Sequence, residues 1–272
     1  MLLAIDIGNT NVVIGVWDGP RLARRLRVST SLGTTADELG ALIRPLLRDD
    51  QRRPLPIDAA IASSVVPPLT RPVVEMTAAS FDVRCLVVGP GVRTGMPILY
   101  EDPAAVGPDR VVNAVAARSR WSGGLIIIDM GTATTFDVVT PKGEYLGGAI
   151  CPGIGISSEA LFRHASRLPR VELSRPRAAV GRNNPAAIRS GLILGYVGLV
   201  EGLVARMRAE AGFDCAVVAT GGLAPLVSRE TSAVDHLAPD LTLEGLRVIH
   251  ELNARDVSEH RGPGAGGVRR SR

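Results

Sequence analysis

Apolar residues in this chain follow two rhythms. Short aliphatic blocks at 2–7 (LLAIDI) and 12–17 (VVIGVW) read as covered strands around a tight turn. IDAAIASSVVP at 57–67 reads as a strand running into a small-residue loop at Pro67, and CLVVG at 85–89 as another strand. Between them, 36–48 and 69–80 carry apolar residues at helical spacing, with Pro45 placed to interrupt the first. Residues 103–119 predict a loop and then a helix from near Asp109. Later come helical stretches at 156–166 and 184–210, a strand CAVVAT at 215–220 before Gly221-Gly222, and a last helix over 241–255.

One pattern occurs twice. LLAIDIGNTNVVIGVWDG (2–19) is an apolar strand, Asp6, one apolar residue, Gly8, small polar residues and a second strand ending at Gly19. GLIIIDMGTATTFDVVTPKG (124–143) repeats it, with Asp129 for Asp6, Gly131 for Gly8 and a closing turn at Gly143. So long a period excludes a solenoid and predicts two similar domains, each opening with a β-hairpin.

The residue types inside those hairpins change the picture from turns to chemistry. Glycine lets backbone N–H groups approach a phosphate chain closely, and Thr and Asn add side-chain donors. An Asp beside phosphates is useful only with a cation between them. The two hairpins are therefore expected to face each other as phosphate clamps across a cleft.

These repeats resemble the acetate and sugar kinase, Hsp70 and actin superfamily, which implies an α/β fold of two ribonuclease-H-like domains. Each would be a mixed sheet with flanking helices, here 1–118 and 119–255. Between the repeats, YEDPAAVGPDRVVNA (100–114) resembles the substrate box of the type III pantothenate kinases. SSVVP (63–67), GGAICPG (147–153), VGRNNPAAIRSG (180–191) and LTLEGLRVIHELN (241–253) fall in that family's order, so the resemblance covers about residues 1–255.

The resemblance implies ATP-dependent phosphorylation of pantothenate, the first step of coenzyme A synthesis. Asp109 would be the general base. Asp6, Ile7, Gly8, Asn9, Thr10, Asn11, Val12, Val13 and Thr132 would bind ATP, with Asp6 near Mg²⁺. Tyr100, Gly107, Pro108, Asp109 and Arg110 would bind pantothenate. Asp129 would hold a monovalent cation, K⁺ or NH₄⁺. Asn184 stands where the family usually carries Thr, and would reach the substrate of a neighbouring subunit in a homodimer whose active site lies near the interface. Gly191, Gly195, Gly198 and Gly202 suit either that interface or a tight internal contact. Thr220-Gly221-Gly222 resembles the adenosine-side turn, and with no aromatic clamp in view base recognition is expected to be loose.

From the residues alone Asp109-Arg110 also fits an N-cap with a local ion pair. Asn113 shares a helix face with Asp109, which leaves open whether it orients the base or faces solvent. Two other functions fit the fold: a ligand-binding regulator without turnover, and a phosphatase or polyphosphate hydrolase. The first leaves the intact Asp6, Asp109, Arg110, Asp129 and Thr132 unexplained, the second the substrate box.

Composition adds limits. The chain has 272 residues, 46% apolar and 21% charged, with 3% aromatics, so its cores are aliphatic. Of the net charge of +4, half comes from a Gly-rich tail at 256–272, where Arg261, Arg269, Arg270 and Arg272 outnumber Asp256 and Glu259. That tail is expected to be disordered, and the basic balance does not point to nucleic acid. Cys85, Cys151 and Cys215 are far apart and are expected to be buried free thiols. His164, His236, His250 and His260 show no metal-ligand spacing, and the first three are expected on helix or loop surfaces. No leader is seen and no apolar stretch approaches membrane length, so a cytoplasmic protein with no membrane partner is expected.

Overall fold

The computed structural model describes residues 1–259, with side chains of 255–259 outside the description. Ten strands make two five-stranded sheets. The first comprises β1 (Leu2–Ile7), β2 (Asn11–Asp18), β3 (Arg21–Ser29), β4 (Ala59–Ser64) and β5 (Cys85–Val87), in the order β3-β2-β1-β4-β5. The second comprises β6 (Gly124–Met130), β7 (Ala133–Val139), β8 (Tyr145–Pro152), β9 (Cys215–Thr220) and β10 (His236–Leu237), in the order β10-β9-β6-β7-β8. Read from β8, the second order repeats the first. In each sheet an antiparallel three-strand meander carries two parallel strands on its other edge. The expected duplication is therefore a duplication of topology. The meander's third strand, β3 or β8, escaped the hydrophobic pattern because charged or glycine positions alternate along it.

Helices cover both faces of each sheet, which is why β1 and β6 read as unbroken apolar runs. Leu3, Ile5 and Ile7 of β1 face an outer core with Val12, Ile14 and Val16, closed by α1 (Ala36–Ile43) and α2 (Pro67–Phe81). Pro45 sits in a short 3₁₀ turn, Arg44–Leu46, that ends α1 as expected. Ile126, Ile128 and Met130 of β6 face a second outer core under α5 (Asn184–Ala211), beside α4 (Ile154–His164) and the single turn α6 (Ala224–Val227). The alternate residues Leu2, Ala4, Leu125 and Ile127 face inward, into a core shared by both halves. Strand period two then places Asp6 and Asp129 on that inner face, where the core gives way to a cleft.

The middle layer is α3 (Pro108–Arg120) and α7 (Leu241–Glu259). α3 buries Val111, Val112 and Ala114–Ala117, and α7 buries Leu241, Leu243, Leu246 and Ile249. Their backbones cross so closely that a Cβ at Gly245 would lie 2.1 Å from the Val112 carbonyl oxygen.

Four expectations are corrected. Residues 256–259 continue α7 where a disordered tail was expected; 260–272, with His260, lie outside the described residues. Cys85 and Cys215 are buried, but Cys151 is half-buried on the edge strand β8. His236 is half-buried in β10 rather than on a helix or loop, its ring stacked on Trp121 at 4.9 Å. α5 is long and apolar enough to cross a membrane, with a mean hydropathy of 1.5 over its best window, of which 39% is buried. Its hydropathy comes from Ile, Leu, Val and Ala, spaced among Gly and a few charged residues rather than in one unbroken aliphatic run.

Gly245→Ala is expected to destabilise the fold by roughly 1–3 kcal/mol through forced separation of α3 and α7. Urea denaturation measures this; an unchanged midpoint would contradict the crossing.

Candidate active site

The two hairpin loops meet. Thr10 and Thr132 occupy matching loop positions and their hydroxyls lie 2.7 Å apart. Gly8 N–H donates to the Asn11 carbonyl (3.0 Å), and Gly131 N–H to that of Ala133 (3.0 Å). The second loop is one residue shorter, running Gly131-Thr132 where the first runs Gly8-Asn9-Thr10. β3 braces the first: Thr30 donates its hydroxyl to the Gly8 carbonyl (2.6 Å) and its N–H to that of Thr10 (3.0 Å).

Between the loops lies a cleft of about 610 Å³. It gathers Asp6, Gly8, Asn9, Thr10, Asn11, Val13, Asp109, Asp129 and Thr132, all singled out from sequence, together with Thr220-Gly221-Gly222. Ile7 and Val12 point into the outer core, so a contact from them comes from main chain. Tyr100, Gly107, Pro108 and Arg110 lie outside the cleft lining, beside or behind Asp109. Asn184 is exposed at the start of α5 and does not join the lining.

Asp109 is in the first turn of α3, where Gly107 is the N-cap and Pro108 the first helical residue. The helix dipole favours a carboxylate there. The simple capping reading fails: Asp109 Oδ1 accepts the adjacent Arg110 N–H (2.9 Å), and the Arg110 guanidinium turns away to Asp137. Burial raises the Asp109 pKa, opposed by that N–H and the Arg110 charge. A Cβ at Gly107 would fall 2.6 Å from Asp109 Oδ1, so glycine leaves the carboxylate its place.

Arg110 is 6% exposed and Asp137 fully buried. Arg110 Nε donates to Asp137 Oδ1 (2.8 Å) and Nη2 lies 2.6 Å from the same oxygen. The Tyr145 hydroxyl also donates to Oδ1 (2.6 Å), and the Thr135 hydroxyl to Oδ2 (3.2 Å). Tyr100 meets the Tyr145 ring edge-on, with centroids 6.5 Å apart. Sequence reasoning missed Asp137 and Tyr145; the signal was Asp137 at an inward, even-numbered offset from Thr135 on β7.

Asp129 is half-buried in the cleft wall. Asn113 Nδ2 donates to its Oδ2 (2.9 Å), and Thr242 on α7 donates its hydroxyl to Asn113 Oδ1 (2.7 Å). Asn113 is therefore neither solvent-facing nor bonded to Asp109. The Thr242 bond fixes its amide so that the N–H side faces the carboxylate. Burial first, then the charges of Asp109 and Asp6, push the Asp129 pKa up to about 7, with the Asn113 bond opposing. Asp6 accepts a hydrogen bond from Ser63 on β4 (2.7 Å), and its pKa is raised to about 6, chiefly by burial. Ser63 was legible only through strand pairing, which sets it beside Asp6.

Half-buried Asp6 and Asp129, lining one cleft with the Thr10 and Thr132 hydroxyls, suit hard cations. No three His, Cys, Asp or Glu side chains form a closed metal cage among the described residues.

Duplicated meanders, opposed loops and carboxylates at matched strand ends define the two-domain actin-like and sugar-kinase fold. Solved structures agree: the chain matches a Campylobacter jejuni protein assigned to the Baf family of transcriptional activators (TM-score 0.59, 17% identity, 93% of this chain and 99% of that one). It also matches a Sinorhizobium meliloti protein assigned as a 2-dehydro-3-deoxygalactonokinase (TM-score 0.58, 15% identity, all of both chains). Within that fold the family is specific. Residues 2–206 match the family model for type III pantothenate kinase. The type III pantothenate kinase of Anaeromyxobacter sp. (strain Fw109-5) is 57% identical over 93% of this chain and 100% of its own. The chain belongs to the type III pantothenate kinase family.

The raised acids give a test. Unfolded carboxyls titrate near 4, so folded Asp6 and Asp129 hold extra protons between about pH 4 and pH 7. Stability from these groups is complete at low pH and lost as pH rises through about 6 to 7. In chelator and without K⁺, the melting temperature is expected to fall across that window. Asp129→Asn should flatten the fall; an identical slope would refute the assignment.

Proposed function

We propose that this chain transfers the γ-phosphoryl group of ATP to the hydroxyl of pantothenate, opening coenzyme A synthesis. The observation carrying this reading is Asp109 in one cleft with Asp6, Asp129 and the Thr10–Thr132 contact. The ATP phosphates lie between the hairpin loops, held by Gly8–Asn11 and Thr132. Asp6 would hold Mg²⁺, and Asp129, fixed by Asn113, would hold K⁺ or NH₄⁺. Bound cations supply charge neutralisation for the polyphosphate.

Asp109 accepts the proton of the acceptor hydroxyl as that oxygen attacks the γ-phosphorus. The new P–O bond forms, the bond to the β-phosphate oxygen breaks, and ADP leaves. Burial, by raising the Asp109 pKa, makes it a better base than a free carboxylate. Tyr100, Gly107, Pro108 and Arg110 form the pantothenate side, with Arg110 aimed by Asp137 and Tyr145.

The reading includes a homodimer and a cytoplasmic place. Along α5, Ala187, Gly191, Gly195, Gly198, Ala205 and Ala209 are exposed. A second α5 laid there would bring Asn184 of each copy toward the other's acceptor.

Turnover should require pantothenate and be faster in K⁺ than in Na⁺; acceptor-independent ATP loss would instead support a hydrolase. Asp109→Asn is expected to lower kcat by about 10²–10⁴ with the KM values little changed. Near-normal kcat in that variant would remove Asp109 as base. Gly195→Leu is expected to convert a dimer to monomers in light scattering and to abolish turnover; a dimeric, active variant would reject the α5 interface.

A further inference from the structure

The cleft's charges do not balance. Its lining carries four carboxylates, Asp6, Asp109, Asp129 and Asp240, and two cations, Arg25 and Arg27. A nucleotide polyphosphate would bring further negative charge into this space, so the placement of its cations matters. Arg25 is engaged: its Nη1 lies 3.1 Å from Asp240 Oδ1, joining β3 to the residue that precedes α7. Arg27 is exposed, and among the described residues its side chain has no ion pair or hydrogen bond.

Strand register says where Arg27 points. Ser63, Asp6, Val13 and Arg27 are successive cross-strand partners over β4, β1, β2 and β3. Partners share a face of the sheet, so Arg27 stands on the Asp6 face, two strand spacings away, about 10 Å. Two residues on, Ser29 pairs with Asn11, where β2 leaves the first phosphate loop. Leu26 and Val28, between these positions, face the outer core and hold the strand's orientation. Arg27 is thus a free guanidinium on a braced strand, beside the loop that closes over the phosphates. Guanidinium groups match phosphate oxygens in pairs and stay charged at every working pH.

We propose that Arg27 binds the polyphosphate chain of the nucleotide, as the cation this chain itself supplies to the cleft. The assignment rests on the nucleotide lying between the hairpins. Arg25, tied to Asp240, closes the rim and leaves Arg27 as the inner partner of the phosphates.

The test is steady-state kinetics on the full-length enzyme at fixed K⁺, with ionic strength varied by tetramethylammonium chloride. Arg27→Gln is expected to lower kcat/KM for ATP at least tenfold, leave KM for pantothenate within twofold, and flatten the salt dependence. Arg27→Lys should recover part of the loss, since it keeps the charge. Competition by adenosine, which has no phosphate, should be unchanged. An ATP kcat/KM within twofold of wild type in Arg27→Gln overturns the proposal, as does an equal loss for adenosine and ATP. Thr10→Ala and Thr132→Ala separate it from the reading beneath. If both impair ATP use while Arg27→Gln does not, the cleft stands and Arg27 falls. If neither changes ATP use, the cleft assignment falls and Arg27 with it.

Discussion

Three half-buried carboxylates line one cleft, and the repulsion among them is the constraint around which this molecule is arranged. The Asp109 charge raises the proton affinity of Asp6 and of Asp129, Asp6 raises that of Asp129, and burial raises all three. Left to themselves such groups would separate or neutralise. Each is instead fixed by a different rigid element: Asp6 at the end of β1 with Ser63, Asp129 at the end of β6 with Asn113, and Asp109 on the first turn of α3. The fold supplies the energy that keeps them together, and a cation bound among them would offset part of the cost.

The duplication explains how so small a chain builds such a site. Two copies of one meander, turned toward each other, place an acid and a threonine-bearing loop on both walls. The copies have since diverged in their partners. On the first wall a serine from the neighbouring strand bonds the acid, and on the second an asparagine from the middle layer does. The second bond passes through Thr242, so α7 reports directly on the geometry of Asp129. Arg110 is handled likewise, held from behind by Asp137 and Tyr145.

Most of the scaffold was legible in the chain because its strands are covered on both faces and read as unbroken apolar runs. The repeated Asp-x-Gly pattern exposed the hairpins, and the Gly-Pro-Asp-Arg box pointed to Asp109, which lines the cleft. What stayed hidden was of one kind: residues that act through cross-strand or cross-helix neighbours. Ser63, Asp137, Tyr145 and Thr242 meet their partners only after β4, β7, β8 and α7 are paired or packed. Asn113 was seen with its role open between orienting Asp109 and facing solvent, and it does neither, because helical spacing relates it to Asp109 and says nothing of β6. β3 was missed since its arginines interrupt the apolar rhythm, although those arginines line the cleft.

The inner core joins residues from both halves, with Leu2, Ala4 and Ile61 packed in the same apolar body as Leu125, Ile127 and Val218. Swinging the halves apart as rigid jaws would wet that body, at a cost proportional to the apolar area exposed. Compliance is therefore concentrated at the rim. The half-exposed Arg25–Asp240 pair is such a place, because an ion pair in contact with water is weak and salt-sensitive. Traffic of ATP and ADP past this rim becomes a question of ionic strength and local fastening, with the walls themselves standing still.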